Sequence, residues 1–189
     1  MALMANPWKY ATTIADLGQL MADWLQGRIR TWPGYGDTRP DDETRHLIPT
    51  LAAACRAGYV TTNSQPGLTP TRGYDGRMWR QRAWVEGWIT DTALLEHIKA
   101  AAKRQGITVI THQPGSRSRE YVPITEADGE CRTGVGHHIG HRRLIATEWP
   151  GIGRHALHEL RTATFLALID TEWGRDNQLW PALTHATTR

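Results

Sequence analysis

Gln81-Arg82-Ala83-Trp84-Val85-Glu86-Gly87-Trp88-Ile89, a helical stretch from Thr90 or Asp91 to Gly106, and Ile107-Thr108-Val109-Ile110 follow one another without a break. The first run alternates, with Ala83, Val85 and Gly87 to one side and Trp84, Glu86 and Trp88 to the other, as a pleated strand requires. Leu94, Leu95, Ile98, Ala101 and Ala102 then recur at helical spacing, and Gly106 suits the left-handed residue that closes such a helix. Ile107 to Ile110 is a short β-branched run of the kind buried on both faces. Strand, helix and strand together predict a right-handed βαβ crossover with parallel strands. The expected fold class is therefore α/β: a small, mostly parallel sheet with flanking helices and an irregular C-terminal half.

The end of this unit has an echo 48 residues earlier. Ala52-Ala53-Ala54-Cys55-Arg56-Ala57-Gly58 and Asn63-Ser64-Gln65-Pro66-Gly67 flank Tyr59 to Thr62, just as Ala100 to Gly106 and Thr111-His112-Gln113-Pro114-Gly115 flank Ile107 to Ile110. Eight of the 16 aligned positions are identical. Each copy reads as a helix end, a Gly cap, a strand and a polar loop closed by Gln-Pro-Gly. Either a duplication or recurring Ala-rich helices and Gly caps accounts for the echo. On the parallel-sheet reading, both polar loops emerge side by side at strand carboxyl ends, where open α/β sheets hold ligands.

Elsewhere, Thr13-Ile14-Ala15-Asp16 forms a capping box ahead of an amphipathic helix that carries Leu17, Leu20, Met21, Trp24 and Leu25 and ends near Gly27. Arg28 to Pro40 is a Gly/Pro loop, and Asp41 or Asp42 caps a second helix reaching Ala57, which Pro49 either kinks or opens. Asn63 to Arg77 reads as a long loop. Tyr121 to Thr125 is a strand turning at Asp128-Gly129 and returning through Cys131. Leu144 to Thr147 is read as another strand. A final helix spans Arg154 to Trp173, with Leu157, Leu160, Thr164, Leu168 and Ile169 inward, and the tail after Gly174 is expected to fray.

At 189 residues and 21.3 kDa the chain suits one domain, with a helix and strand core over 10–112 and a hairpin, Gly/His-rich loop and closing helix over 113–189. Leu51 to Cys55 and Phe165 to Ile169, the longest apolar runs, are far too short to cross a bilayer, so no membrane role is expected. Met1 to Tyr10 shows no secretory leader. Cys55 and Cys131 form no disulfide framework or paired metal motif, which places the protein in a reducing cytoplasm. Formal net charge is +3, with arginine supplying 19 of the 22 cations. That bias fits a GC-rich, actinobacterial genome, or selection for a planar binder of phosphate and carboxylate.

Thr61-Thr62-Asn63-Ser64-Gln65 is the densest run of neutral hydrogen-bonding side chains. Thr62, Asn63, Ser64 and Gln65 are candidate ligand-binding residues, because hydroxyls and amides offer both donors and acceptors at a strand end; the alternative is a plain turn. Ser64 lacks the G-x-S-x-G surroundings of an activated nucleophile. His112 and Gln113 hold the equivalent places in the second copy, and His112 is a candidate general base. Arg82 and Glu86 share a strand face with Trp84 and Trp88. Glu86 buried beside the polar loop would hold its proton and serve acid/base chemistry, with Arg82 meeting an anionic group; equally, the two pair as a salt bridge. His137, His138 and His141, followed by His155 and His158, form a histidine cluster that no carboxylate or thiolate motif accompanies. No metal or cofactor is therefore expected, and with Arg142, Arg143 and Arg154 nearby an anion-binding loop fits the cluster better.

Gly58-Tyr59-Val60-Thr61-Thr62-Asn63-Ser64-Gln65-Pro66-Gly67 followed by Gln81 to Ile89 resembles an uncharacterised domain family common in actinomycetes and their mobile elements, over roughly residues 10–112. The family carries no established reaction, so the resemblance transfers no catalytic role and only marks these two segments as site walls.

The leading expectation is a cytosolic protein that binds a small polar or nucleotide-like metabolite at the strand-end loops, with hydrolysis or group transfer as the reaction class if it is an enzyme. The alternative is a non-enzymatic module for nucleic acid or a protein partner in a mobile element, using Arg72, Arg77, Arg80, Arg82, Arg117, Arg119, Arg142 and Arg143 interleaved with Trp79 and Tyr121. A third reading is a homodimer closed by exposed tryptophans.

Overall fold

A computed structural model of the chain describes residues 6–36 and 38–188. Half of the segment on which the leader reading rests, Met1 to Ala5, lies outside them. The Thr13 capping box opens α1 (Ile14–Leu25), with Thr13 Oγ1 accepting from Asp16 N–H and the Asp16 carboxylate accepting from Thr13 N–H, each at 3.0 Å. Pro49 sits in the first turn of α2 (Ile48–Ala57), after a 3-10 stretch from Asp42 to Leu47. Gly58, at φ 109°, closes α2 and starts β1 (Tyr59–Gln65). Gly106, at φ 65°, stands at the same point between α3 (Thr92–Arg104) and β5 (Ile107–His112). Both copies of the echo thus fold alike locally.

The sheets are antiparallel, not mostly parallel. The first has the order β1, β4 (Trp84–Ile89), β8 (Thr164–Asp170), β5. The second has the order β2 (Leu68–Arg72), β3 (Met78–Gln81), β6 (Val122–Ala127), β7 (Glu130–Val135). Every adjacent pair in both runs antiparallel. The correction turns on β8. The expected closing helix stops at the end of α5 (Arg154–Thr162), Ala163 turns extended, and Thr-Phe-Leu-Ala-Leu-Ile-Asp becomes a wholly buried strand. A short, uniformly apolar run carries no period, so helical spacing from Leu157 to Leu168 arises in it by coincidence. β8 slides between β4 and β5, pairing Trp84 with Ile169 on one side and His112 with Phe165 on the other. β4 and β5 point the same way but are not neighbours.

Smaller corrections follow the same logic. The supposed loop Asn63 to Arg77 contains the end of β1 and all of β2, and Gln81 belongs to β3 in the second sheet. Leu144 to Thr147 lies in α4 (His141–Glu148). The tail forms α6 (Leu179–Thr187), whose Leu179, Trp180 and Leu183 are buried in the main core with α2 and α3 residues. The hairpin at Asp128-Gly129 forms as expected, both residues at positive φ. A second, smaller core lies between the sheets, where Trp84, Ile110 and Ile169 meet Ile124 and Val135.

The two Gln-Pro-Gly corners do not share a rim. β1 and β5 are opposite edges of the first sheet and run in opposite directions. Gln65 is level with Trp84 at one end, and His112 is level with Trp88 at the other. Three strand spacings put the edges about 14 Å apart.

Candidate functional site

One face of the first sheet carries Trp84, Glu86 and Trp88 from β4, with His112 from β5 level with Trp88 and Asn63 from β1 level with Glu86. The pairing register slips between Thr61 and Asn63, which leaves Thr62 as the extra residue of a bulge. A bulge re-aims side chains. Thr61 Oγ1 lies 3.2 Å from Cys55 Sγ of α2, while Thr62 Oγ1 donates to Glu148 Oε1 at 3.3 Å and Asn63 Nδ2 donates to Glu86 Oε1 at 2.9 Å. Two consecutive residues of β1 therefore hold two different carboxyl groups.

Glu148, at the end of α4, is 7% exposed and also accepts from Trp88 Nε1 at 2.7 Å. Neither Glu86 nor Glu148 has a cationic partner among the described residues. Burial pushes the Glu86 carboxyl up to about 7, opposed by the Asn63 amide. Burial pushes Glu148 up to about 8; the Trp88 indole N–H opposes the rise, and the Glu86 charge adds to it. The two carboxyls thus titrate as a linked pair, the ionisation of one disfavouring that of the other.

Thr61, Thr62, Asn63 and Ser64 also form one wall of a cavity of about 110 Å³, with Trp24, Trp32, Tyr35 and Asp41 opposite. Trp24, Trp32 and Tyr35 pack on one another with ring centroids 5.2–5.9 Å apart. Tyr35 OH donates to Asp41 Oδ2 at 3.0 Å. Trp32 is 4% exposed, and its Nε1 has no hydrogen-bond partner. Its loop is seated by Gly34, where any side chain would run into the Glu148 backbone carbonyl.

Trp88 joins this site to a second buried group. Its ring lies 5.1 Å from that of His141, and His112 stacks on His138 at 4.5 Å. His141 Nε2 meets the Ala163 carbonyl at 2.9 Å, so it carries the proton and its Nδ1 accepts from His138 Nε2, also at 2.9 Å. His112 Nε2 donates to the Gly136 carbonyl at 3.1 Å. His138 Nδ1 is left with a bare lone pair and no partner, in a side chain 2% exposed. Burial, and then the neighbouring imidazoles, hold His138 down to about 4, and burial also lowers His112 and His141. His112 is thus one ring of a stack, away from the Asn63 end of the sheet. Among the described residues no group of three or more His, Cys, Asp or Glu is arranged to hold a metal ion.

The remaining candidates take other places. Ser64 lies in the cavity wall. Gln65 bridges the sheets: Nε2 donates to the Arg82 and Ile124 carbonyls, and Oε1 accepts from Thr125. Gln113, exposed, accepts from Thr164. Arg82 forms no ion pair with Glu86; its guanidinium lies 4.6 Å from the Trp173 ring, which Arg80 also contacts. Trp79 and Trp173 are half-buried and the other tryptophans are buried. Glu148 and Trp32 carry no sequence signal of their own; a lone Glu before a Trp and a Trp in a Gly/Pro loop gain meaning only from the contacts above.

The chain belongs to a family described as a domain of unknown function, DUF6919, whose model matches residues 4–189. No curated protein matches it. Among the described residues no helix is long and apolar enough to cross a membrane.

Proposed function

We propose that the protein binds a small polar metabolite against β1 and that Glu86 exchanges a proton with it, so that any reaction is a hydrolysis or group transfer. The observation that supports this most is the near-neutral Glu86 carboxyl, half-buried and gated by the exposed amide of Asn63, with Glu148 coupled to it from below. A carboxyl with its midpoint near the working pH is suited to both giving and taking a proton. A cavity of about 110 Å³ is smaller than the roughly 300–1,000 Å³ that encloses a drug-sized ligand. It takes the polar end of a molecule, and the unpartnered Trp32 N–H offers a donor to that end. The remainder of the ligand lies over Asn63 and Ser64. Free Cys55 and Cys131 fit a cytoplasmic setting.

Thermal-shift screening against a polar metabolite library at pH 6, 7 and 8 tests the reading. A compound that raises the unfolding temperature of the wild type, loses its effect in Asn63→Ala and Glu86→Gln, and changes affinity around pH 7 supports it. No stabilising compound, or stabilisation that survives both substitutions, ends it.

A further inference from the structure

At the other end of α4 the chemistry reverses sign. Arg117, Arg142, Arg143 and Arg161 line one cleft of about 640 Å³, formed by the loop after β5, the start of α4 and the end of α5. No Asp or Glu lines it. None of the four guanidinium groups forms an ion pair among the described residues, whereas Arg56, Arg80, Arg132 and Arg175 each reach a carboxylate. Four like charges around one concavity repel unless a counter-charge enters, and no carboxylate of the described residues pairs with any of them. Gly140 opens α4 here at φ 100° without a side-chain cap, so the positive end of the helix faces the same region.

We propose that this cleft binds a phosphate-bearing ligand. Guanidinium forks match phosphate oxygens two at a time, and several forks suit a multiply charged group better than a single carboxylate. The volume lies within the range of small-molecule sites. Glu148 stands seven residues along α4 from His141, about 10 Å away, so the cleft is separate from the cavity at β1 and does not depend on its function.

Inorganic pyrophosphate is the simplest probe, titrated calorimetrically into the full chain at low and moderate salt. Wild type should bind it. Arg142→Gln with Arg143→Gln should weaken binding by at least about tenfold per guanidinium removed, because each loss removes charge-assisted hydrogen bonds to the phosphate. Arg132→Gln, a paired residue outside the cleft, should bind as wild type does. A 5′-phosphorylated mononucleotide and a short DNA duplex distinguish the sources of phosphate. Tight duplex binding with a steep salt dependence, lost in the double variant, identifies nucleic acid; mononucleotide binding without it identifies a metabolite. Absence of pyrophosphate binding, or equal binding by wild type and double variant, overturns the proposal. Should the double variant fail to fold, protection of the wild-type arginines from phenylglyoxal by pyrophosphate, mapped by mass spectrometry, decides in its place: protection confined to these four supports the site, and no protection overturns it.

Discussion

The carboxyl pair beside β1 and the histidine stack beside β5 share one sheet face and one tryptophan, yet burial moves them in opposite directions. Glu86 and Glu148 are pushed up to about 7 and 8, whereas His138 is held down to about 4. Loss of water disfavours whichever form is charged, and the charged form is the deprotonated carboxyl but the protonated imidazole. Both regions therefore fold neutral. The difference lies in access: Glu86 is half-buried behind an exposed amide, while His138 is sealed. Glu86 can therefore exchange a proton with solvent without the core opening, and His138 cannot.

Trp88 is where the comparison breaks most readily, because its indole bonds Glu148 and its ring packs on His141 and Phe165. Trp88→Ala should cost about 3–5 kcal/mol of stability in urea unfolding, as large-to-small changes of buried aromatics do. A loss below about 0.5 kcal/mol, the size seen at ordinary surface positions, would mean the two regions are not joined through this ring.

The dependence of stability on pH comes next. Between 6.5 and about 4 the unfolded chain binds protons that folded His138 refuses, so stability falls as pH falls. Between 4.5 and about 7 or 8 the folded carboxyls keep protons that the unfolded chain has released, so stability falls as pH rises. Over the range from 4.5 to 6.5 the slopes oppose one another, the lowered His112 and His141 adding to His138 against the two carboxyls, and they offset in part. Above that range, Glu148 alone should remove about 2 kcal/mol between pH 6.5 and 8, at roughly 1.4 kcal/mol per pH unit. Denaturant midpoints from pH 4 to 9 check this, and a stability maximum at pH 8 would contradict it.

Glu148→Gln sharpens the assignment. It should flatten the alkaline limb, so that the unfolding midpoints at pH 6.5 and pH 8 draw together. The smallest effect belongs to Asn63→Ala. This exposed position should change stability by less than about 0.5 kcal/mol, apart from the lost bond, yet raise the Glu86 midpoint above its present value near 7, because the amide favours the ionised form. Carboxyl carbon shifts followed by NMR titration measure it, and an unmoved midpoint removes Asn63 from the site.

The shared face of Trp84, Glu86 and Trp88 is legible in the sequence, since strand alternation alone puts Glu86 beside the tryptophans. The depth of the site was not visible. Thr62 and Asn63 face the same way only because of a bulge, and Glu148 arrives from a helix more than 80 residues later in the chain. His112, read from the sequence as a general base beside the Asn63 loop, has His138 for company and not Asn63.

Local rules are written in short windows, and there the sequence alone sufficed: the Thr13 capping box, the glycines at 58 and 106, the Asp128-Gly129 turn and the alternation of β4 each follow from a few adjacent residues. Strand neighbours are set by contacts between distant segments. Thr164 to Asp170, apolar throughout and without a period, could join a helix or a sheet, and only burial between β4 and β5 selected the sheet. That insertion made the pairings of β4 and β5 antiparallel and, with β1 already running against β4, put the twin loops at opposite corners and the histidines on the face that carries Trp88 and Glu86.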